Sequence, residues 1–447
     1  MKKEVIITFE TITPLWTGDA WQECKEIRPS SLIGSLRFWF EVICYFSGIC
    51  KKEDFNSKNG RFEKEVDRRK FEECLKKKCL KKKGDTFETK IECLLEQGIP
   101  LPSIIFGTTN WKSLMEVESI KYLGNYYFGN KLNLPYAIGI KKNSNEEPLI
   151  FQTEEEWREK INSYNGKNFR DKLNKAKKEW SFFFFPNLYF YGKFEVKFQI
   201  EEKILEPIFF PLLNFMDKYG FWGGKWNIGY GRLKIMVNDG WKKDDFELFK
   251  LSDNISSWKK KMKIETVELD LDFNSLEASE FLKSILDKSS DDKFSFSCKE
   301  EEDFRNKMRS FPEKIIILEN SQGGSNDYSS IIKNLLKTKV RIRNCLRHKC
   351  ENQFETCFEE HNGEKVKVFN GEKTLDCNNK GKEITCEELK LWRTFRHKLL
   401  GEQGEGSKIL PFIYKEQQEQ EQQEQQQLKG GLLSIAGLLN LEGRENE

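Results

Sequence analysis

What constrains this chain most is a pair of short blocks that lie far apart along it. Thr13-Pro14-Leu15-Trp16-Thr17-Gly18-Asp19 runs into Arg28-Pro29-Ser30-Ser31-Leu32-Ile33-Gly34-Ser35-Leu36-Arg37-Phe38-Trp39-Phe40, and much later comes Trp222-Gly223-Gly224-Lys225-Trp226-Asn227-Ile228-Gly229-Tyr230-Gly231-Arg232-Leu233. The first block reads as a strand end, a loop and a helix, the second as a glycine-rich loop feeding a strand. Residues 5–11 alternate as a strand, and Ser30 or Ser31 supplies an N-cap for the helix that follows. On a helical wheel Leu32, Leu36, Trp39, Phe40 and Ile43 share one side, which makes that side core. Gly34 lies nearly opposite and Arg37 off to one side. A glycine on the outer face of a helix weakens it by roughly 1 kcal/mol relative to alanine. It makes sense where something packs close to the backbone.

Between the blocks, residues 51–92 carry 15 Lys or Arg against 10 Asp or Glu, with Lys76-Lys77-Lys78-Cys79-Leu80-Lys81-Lys82-Lys83 among them, and read as a helical, solvent-facing insertion. Leu101 to Thr108 reads as a short element ending at the Gly107 turn, and residues 154–180 as a charged helix. Phe182 to Phe190 and Phe194 to Ile200 form an expected hairpin about Tyr191-Gly192-Lys193, followed by a helix over 208–218 and a strand over Arg232 to Val237. The order β-α, insertions, β-hairpin, α, loop, β is that of a βαββαβ ferredoxin-like sheet. Beyond residue 241 the pattern predicts strands at Thr266–Phe273, Lys314–Glu319 and Lys408–Lys415, with helices at Tyr328–Lys349 and Cys386–Leu400. Glu416 to Gln427 is a Gln/Glu-rich run expected to form a loop or frayed helix, and the apolar Gly430 to Leu441 after it makes that run an insertion. The fold class expected is α+β: two ferredoxin-like (RRM-like) domains with helical insertions, over 1–240 and 241–447.

A chain of 447 residues has room for two or three cores. Lys and Arg exceed Asp and Glu by only three, so net charge selects no partner and only local clustering can. The charged start Met1-Lys2-Lys3-Glu4 runs directly into polar alternation, without the apolar core of a signal peptide. No apolar run approaches the roughly 20 residues that span a bilayer. A soluble, cytoplasmic protein is expected, and most of the 12 cysteines are expected to be reduced. Cys345, His348, Cys350, Cys357 and His361, with Cys377 and Cys386 downstream, are enough soft ligands for a zinc ion, yet no CxxC pair occurs and the spacings fit no common finger. Neither a metal nor another cofactor is expected.

The quoted blocks resemble the RAMP superfamily of CRISPR proteins, RNA-binding ferredoxin-like folds with a glycine-rich loop between the last helix and the last strand. More narrowly, Thr13 to Asp19 joined to Arg28–Ser31 and Gly34–Trp39 looks like the subunit-one RAMP proteins of the type III-B (Cmr) effector complex. Ile105-Phe106-Gly107-Thr108 and the C-terminal Arg396-His397 to Leu400-Gly401 before Ile409-Leu410-Pro411-Phe412 add to the likeness. The resemblance implies a subunit that contacts CRISPR RNA and target RNA near the 3′ end of the guide, among other RAMP subunits, and is not the one that cuts. Guide pairing would select the sequence while protein reads backbone and shape.

The residues expected to touch RNA follow from chemistry as well. Gly223, Gly224, Gly229 and Gly231 free the backbone to approach a phosphate and offer an anion-binding nest of N–H groups. Lys225 and Arg232 add charge, and Trp222, Trp226 and Tyr230 offer stacking faces. Arg28, Ser30, Ser31, Gly34 and Arg37 surround a helix N-terminus, where N–H groups and the dipole favour an anion. Against each stands a plain alternative: a glycine turn with core aromatics, a serine cap, an arginine in an ion pair, and a lysine run that is a solvated helix face. Asp19 reads as a turn residue and not a catalytic acid, because no histidine precedes residue 348. The expectation is a non-catalytic RNA-binding subunit; the rivals are a RAMP-type endoribonuclease that processes CRISPR transcripts and a protein-only adaptor.

Overall fold

A computed structural model of the chain describes residues 2–19, 21, 23–46, 49–80, 86–142, 146–237, 317–319, 328–352, 358–361, 364–367, 409–416 and 427–434. In chain order come β1 (Lys2–Thr11), α1 (Pro29–Phe46), β2 (Phe55–Asn56), β3 (Arg61–Phe62), α2 (Arg68–Leu80), α3 (Phe87–Glu96), α4 (Leu101–Phe106) and β4 (Met115–Gly129). Next are β5 (Ala137–Lys141), β6 (Leu149–Phe151), α5 (Glu154–Asn162), α6 (Phe169–Glu179), β7 (Trp180–Phe184), β8 (Tyr189–Glu201), α7 (Glu202–Ile204), α8 (Phe210–Lys218) and β9 (Leu233–Val237). The remainder is β10 (Ile317–Glu319), α9 (Tyr328–Asn352), β11 (Phe358–His361), β12 (Glu364–Lys367), β13 (Ile409–Glu416) and β14 (Gln427–Ser434).

The alternation of β1 sends Val5, Ile7 and Phe9 to one face, where they meet Phe198, Val196 and Phe194 of β8 in register. The sheet order β4-β8-β1-β9, with every neighbouring pair antiparallel, and helices α1 and α8 in the two crossovers make the ferredoxin-like arrangement. Leu32, Leu36, Trp39 and Ile43 of α1 and Leu212, Leu213 and Met216 of α8 cover that face in one core. Phe9 stacks on Phe194 at 5.2 Å and takes the edge of Trp222 at 5.1 Å, and each fully buried aromatic contributes about 1.5–3 kcal/mol. The fold is α+β, and every strand pairing among the described residues is antiparallel.

Three local expectations change. Tyr191-Gly192-Lys193 is no hairpin turn: β8 runs straight through it and its hairpin partner is β4, far upstream. Leu123 faces Lys193 and Tyr127 faces Tyr191, so β4 carries extra residues there and bulges. Gly192 sits at that bulge with φ +143°, and a Cβ on it would lie 2.8 Å from Tyr126 Cα. The 154–180 stretch is two helices, capped by Thr153 and Asn168. The 51–92 insertion is more than a solvated helix, because α3 buries Ile91 and Leu94 against Val66, Ile99 and Ile104. A disulfide joins Cys74 to Cys93, whereas Cys24, Cys44 and Cys50 are buried free thiols.

Near the C-terminus β10-β14-β13 form a second sheet, on which α9 lays Ile332 and Leu335 against Ile409, Ile413 and Leu432. Strands are thus found where Lys314–Glu319 and Lys408–Lys415 predict them, and a helix where Tyr328–Lys349 does. β13 and β14 pair up to Glu416 and Gln427, and the Gln/Glu-rich residues 417–426 between them lie outside the described residues. The elements expected at Thr266–Phe273 and Cys386–Leu400, and the domain boundary near 240, lie outside the described residues. Among the described residues no helix is long and apolar enough to cross a membrane.

Gly192→Val should lower the unfolding free energy by about 1–3 kcal/mol in urea titration, since it forces a branched side chain into a positive-φ bulge against a facing backbone. Parental stability would remove the bulge from this account.

Candidate nucleic-acid interface

The two sequence blocks meet because β1 and β9 are neighbours. Thr11 pairs with Leu233, and the pairing continues past the strand ends: Ile12 N–H and Thr13 N–H donate to Arg232 O at 2.9 and 3.2 Å, and Gly231 N–H donates to Pro14 O at 2.8 Å. Trp16 is the pivot. Its carbonyl accepts from Gly224 N–H at 2.8 Å, and a Cβ added at Gly224 or Gly18 would lie 2.8 or 2.1 Å from its ring. At Gly223, φ +67°, a Cβ would come within 2.3 Å of Trp16 O. The Lys225 ammonium lies 4.8 Å from the centre of the same indole.

Helix α1 starts two residues earlier than a cap at Ser30 would allow. Pro29, pre-set for a first helical position, follows Arg28, whose carbonyl accepts from Ser31 and Leu32 N–H at 3.0 and 3.3 Å. Ser30 and Ser31 therefore lie in the first turn and are not the cap. Ser35 Oγ donates to Ser31 O and accepts from Gly223 N–H, both at 2.9 Å, and so pins the glycine loop to α1. Down the helix, Ser30, Ser31, Gly34, Arg37, Phe38 and Glu41 form a stripe opposite the core face. This stripe is one wall of a cleft of about 430 Å³, with Trp16, Gly223, Gly224 and Trp226 on the other side and Gly60 and Arg61 of the β2–β3 hairpin at its rim.

Arg37 is 7% exposed. Its Nε donates to Glu41 Oε1 at 2.7 Å and its Nη1 to Gly107 O at 3.0 Å, which anchors the end of α4 to α1. Its Nη2 is buried with no hydrogen-bond partner among the described residues. Burial pushes the Glu41 carboxyl above its ordinary value, with Arg37 pulling the other way. A charge reversal at Arg37 would set two carboxylates against each other and would test folding, not binding.

Several expected site residues serve the fold instead. Arg232 is 1% exposed. Its guanidinium donates to Asp217 O at 3.1 Å and Lys218 O at 2.8 Å at the end of α8, to Gly220 O just beyond it, and to Ile413 O of β13 at 3.4 Å. It also packs on Phe412 at 4.3 Å. Burial lowers its pKa to about 10, which leaves it cationic at neutral pH. The N–H groups of Gly223, Gly224, Gly229 and Gly231 donate to Ser35 Oγ, Trp16 O, Trp226 O and Pro14 O, so the loop is no open nest of free donors. Gly229 faces Ile332 and the Tyr328 hydroxyl of α9. Trp222 and Tyr230 are fully buried, so of the three proposed stacking faces only Trp226 reaches the cleft.

Arg28 is 38% exposed and lies 3.7 Å from both Asp19 and Glu26. Asp19 caps its own loop: Oδ1 accepts from Glu23 N–H at 2.9 Å and Trp21 N–H at 2.8 Å, and chiefly the Glu23 bond holds its carboxyl below the usual range, as expected of a turn residue. In the lysine run, Lys78 is taken by Glu92 and Glu96 at 2.8 and 2.7 Å, and Lys81 to Lys83 lie outside the described residues. The side chains of the Cys/His set between 345 and 386 also lie outside them, and no metal-ligating group occurs among the described residues. Of the residues expected to bind, Ser30, Ser31, Gly34, Arg37, Gly223 and Gly224 line one cleft. Sequence reasoning left out Trp16, Ser35, Phe38, Glu41 and Arg61. The first four stand inside or beside the quoted block, whereas Arg61 is lost in a charge run.

Arg232→Met should cost about 3–5 kcal/mol in denaturant unfolding, the penalty for stripping buried polar groups of their charged partner. A loss below about 1 kcal/mol would contradict the clamp. For Glu41 the raised native pKa means that the folded state holds the proton more tightly than the unfolded chain. Its contribution is full below the unfolded value and fades as pH rises through the native one. Glu41→Gln should therefore flatten the fall in stability above the ordinary glutamate range; an unchanged slope would assign it elsewhere.

The sequence matches the RAMP superfamily over residues 8–234. A solved structure, the apo form of Cmr1 from Pyrococcus furiosus, aligns with a TM-score of 0.32 and 11% identity, over 100% of this chain and 92% of the other. No curated protein matches the chain. The family match opens in β1, closes in β9 and takes in both walls of the cleft, just over half the sequence, and the chain therefore belongs to the RAMP superfamily.

Proposed function

We propose that the chain is a non-catalytic RNA-binding subunit of a type III-B CRISPR RNA-guided effector complex, placed among other RAMP subunits and touching CRISPR RNA and target RNA near the guide's 3′ end. The observation that carries this reading is the cleft, in which the two blocks that bear the family resemblance form opposite walls. It combines a helix N-terminus and two serine hydroxyls, which suit a phosphate, with the exposed Arg61 and with aromatic edges that suit bases. Binding without cleavage is supported by the state of Glu41, the carboxylate among the residues lining the cleft, which is tied to Arg37 at 2.7 Å. No histidine precedes residue 348 to act as a general base in this half of the chain.

Single-stranded RNA should bind with marked salt dependence and little sequence preference, since phosphate contacts carry no base information. Filter binding across a salt series checks this. Affinity that ignores salt, or is absent even with the partner subunits present, would leave the adaptor reading. End-labelled repeat RNA should stay intact with or without divalent metal, and specific cleavage that survives extensive purification would establish the endoribonuclease instead.

A further inference from the structure

Gly34 sits in the middle of an 18-residue helix, in a backbone conformation open to any residue, where glycine costs about 1 kcal/mol relative to alanine. Apart from its chain neighbours and the backbone of its own helix, no atom of the described residues lies within 4 Å of where its Cβ would be. Internal packing therefore does not call for glycine here, in contrast to Gly223 and Gly224, whose missing side chains make room for Trp16. What the absent side chain does is keep the floor of the cleft clear. On one side of that floor are the first-turn serines, and on the other Phe38, 37% exposed, with its ring 5.0 Å from Trp226. Arg37 stands in the same wall, its side chain nine-tenths buried and its Nη2 without a partner among the described residues.

Resting on the RNA-binding reading above, we infer that the space over Gly34 receives one unpaired nucleotide of the bound RNA. Its phosphodiester lies at the first turn of α1 beside Ser30 and Ser31, and its base stands against Phe38 and Trp226. Size and charge both favour a single nucleotide. A volume of about 430 Å³ is that of a small-ligand pocket, far too small for a duplex. Arg37 and Glu41 cancel, which leaves the Arg61 guanidinium and the helix dipole to meet one phosphate charge. Arg37, locked by Glu41 and Gly107 O, is a positioning residue whose spare N–H lies in the wall of the site.

The test uses the full-length protein and a fluorescein-labelled oligouridine RNA, read by anisotropy, with Gly34→Leu and Phe38→Leu as variants. Gly34→Leu should melt at or above the parental temperature, because leucine is the better helix former, yet bind about tenfold or more weakly since its side chain fills the floor. Phe38→Leu keeps the packing on Trp226 but loses a stacking face and should bind several-fold more weakly. If the parent binds and both folded variants bind equally well, RNA lies elsewhere on the protein: this inference falls and the RNA-binding reading stands. If Gly34→Leu fails to fold, the claim of open space is wrong. A parent that binds no RNA, alone or with partner subunits, removes the reading and the nucleotide site together.

Discussion

Arg232 takes a full positive charge into the core and spends it on the end of a helix. The end of a helix presents carbonyls to its surroundings, and the guanidinium collects those of Asp217 and Lys218 in α8 and of Gly220 just beyond it in a single fork. The negative end of the helix dipole compensates the cation where water does not reach. A methionine or leucine in the same place could not hold those carbonyls. By donating also to Ile413 O, Arg232 ties α8, the start of β9 and strand β13 into one body. The next residue back, Gly231, is held by Pro14 O, so the clamp also sets where the glycine loop ends.

From that fixed end the loop has little freedom. Trp222 N–H donates to Gly231 O at 2.8 Å and closes the loop at its neck, and a Cβ on Gly231 would lie 2.1 Å from Trp222 O. Gly223 and Gly224 then fold over Trp16 while Ser35 reaches across from α1. The glycines give the loop the shape that lets an indole, a helix and a turn share one small volume. The cleft is thus preorganised, each wall being held by bonds to the other.

The legible parts of this fold were the local ones. Alternation in β1 and the apolar face of α1 depend on neighbours a few residues away, and the βα…αβ order follows once both are in place. The mistaken hairpin shows the limit. The aromatic run around Gly192 has strand character on both sides, and only the distant β4, whose bulges break its alternation, shows that Gly192 lies mid-strand opposite a bulge. Arg232 was misread for a related reason. Its partners are backbone carbonyls, which every residue has, so nothing in the side-chain pattern marks it as buried. Arg37 was half legible: an arginine four residues before Glu41 announces an ion pair, but not that both are buried at the wall of a cleft.

Where β1 and the stretch of β8 paired with it turn away from the helices, the surface is one of paired charges. Outward-facing Glu4, Glu10, Lys193, Lys197, Glu116 and Glu118 alternate in sign across β1, β8 and β4, and Lys197 reaches Glu4 at 2.8 Å and Glu118 at 3.5 Å. An RRM-like sheet that stacks bases needs aromatic side chains on this face. Where β1 pairs with β8, the aromatic residues Phe9, Phe194 and Phe198 point the other way into the core, and the outward aromatics Tyr191 and Tyr127 are confined to the far end of the β4–β8 pair. A surface of paired opposite charges attracts a polyanion weakly, because each lysine already has its counter-charge beside it. Stacking faces and a cation come together beside a helix N-terminus where α1 and the glycine loop converge on the open floor at Gly34.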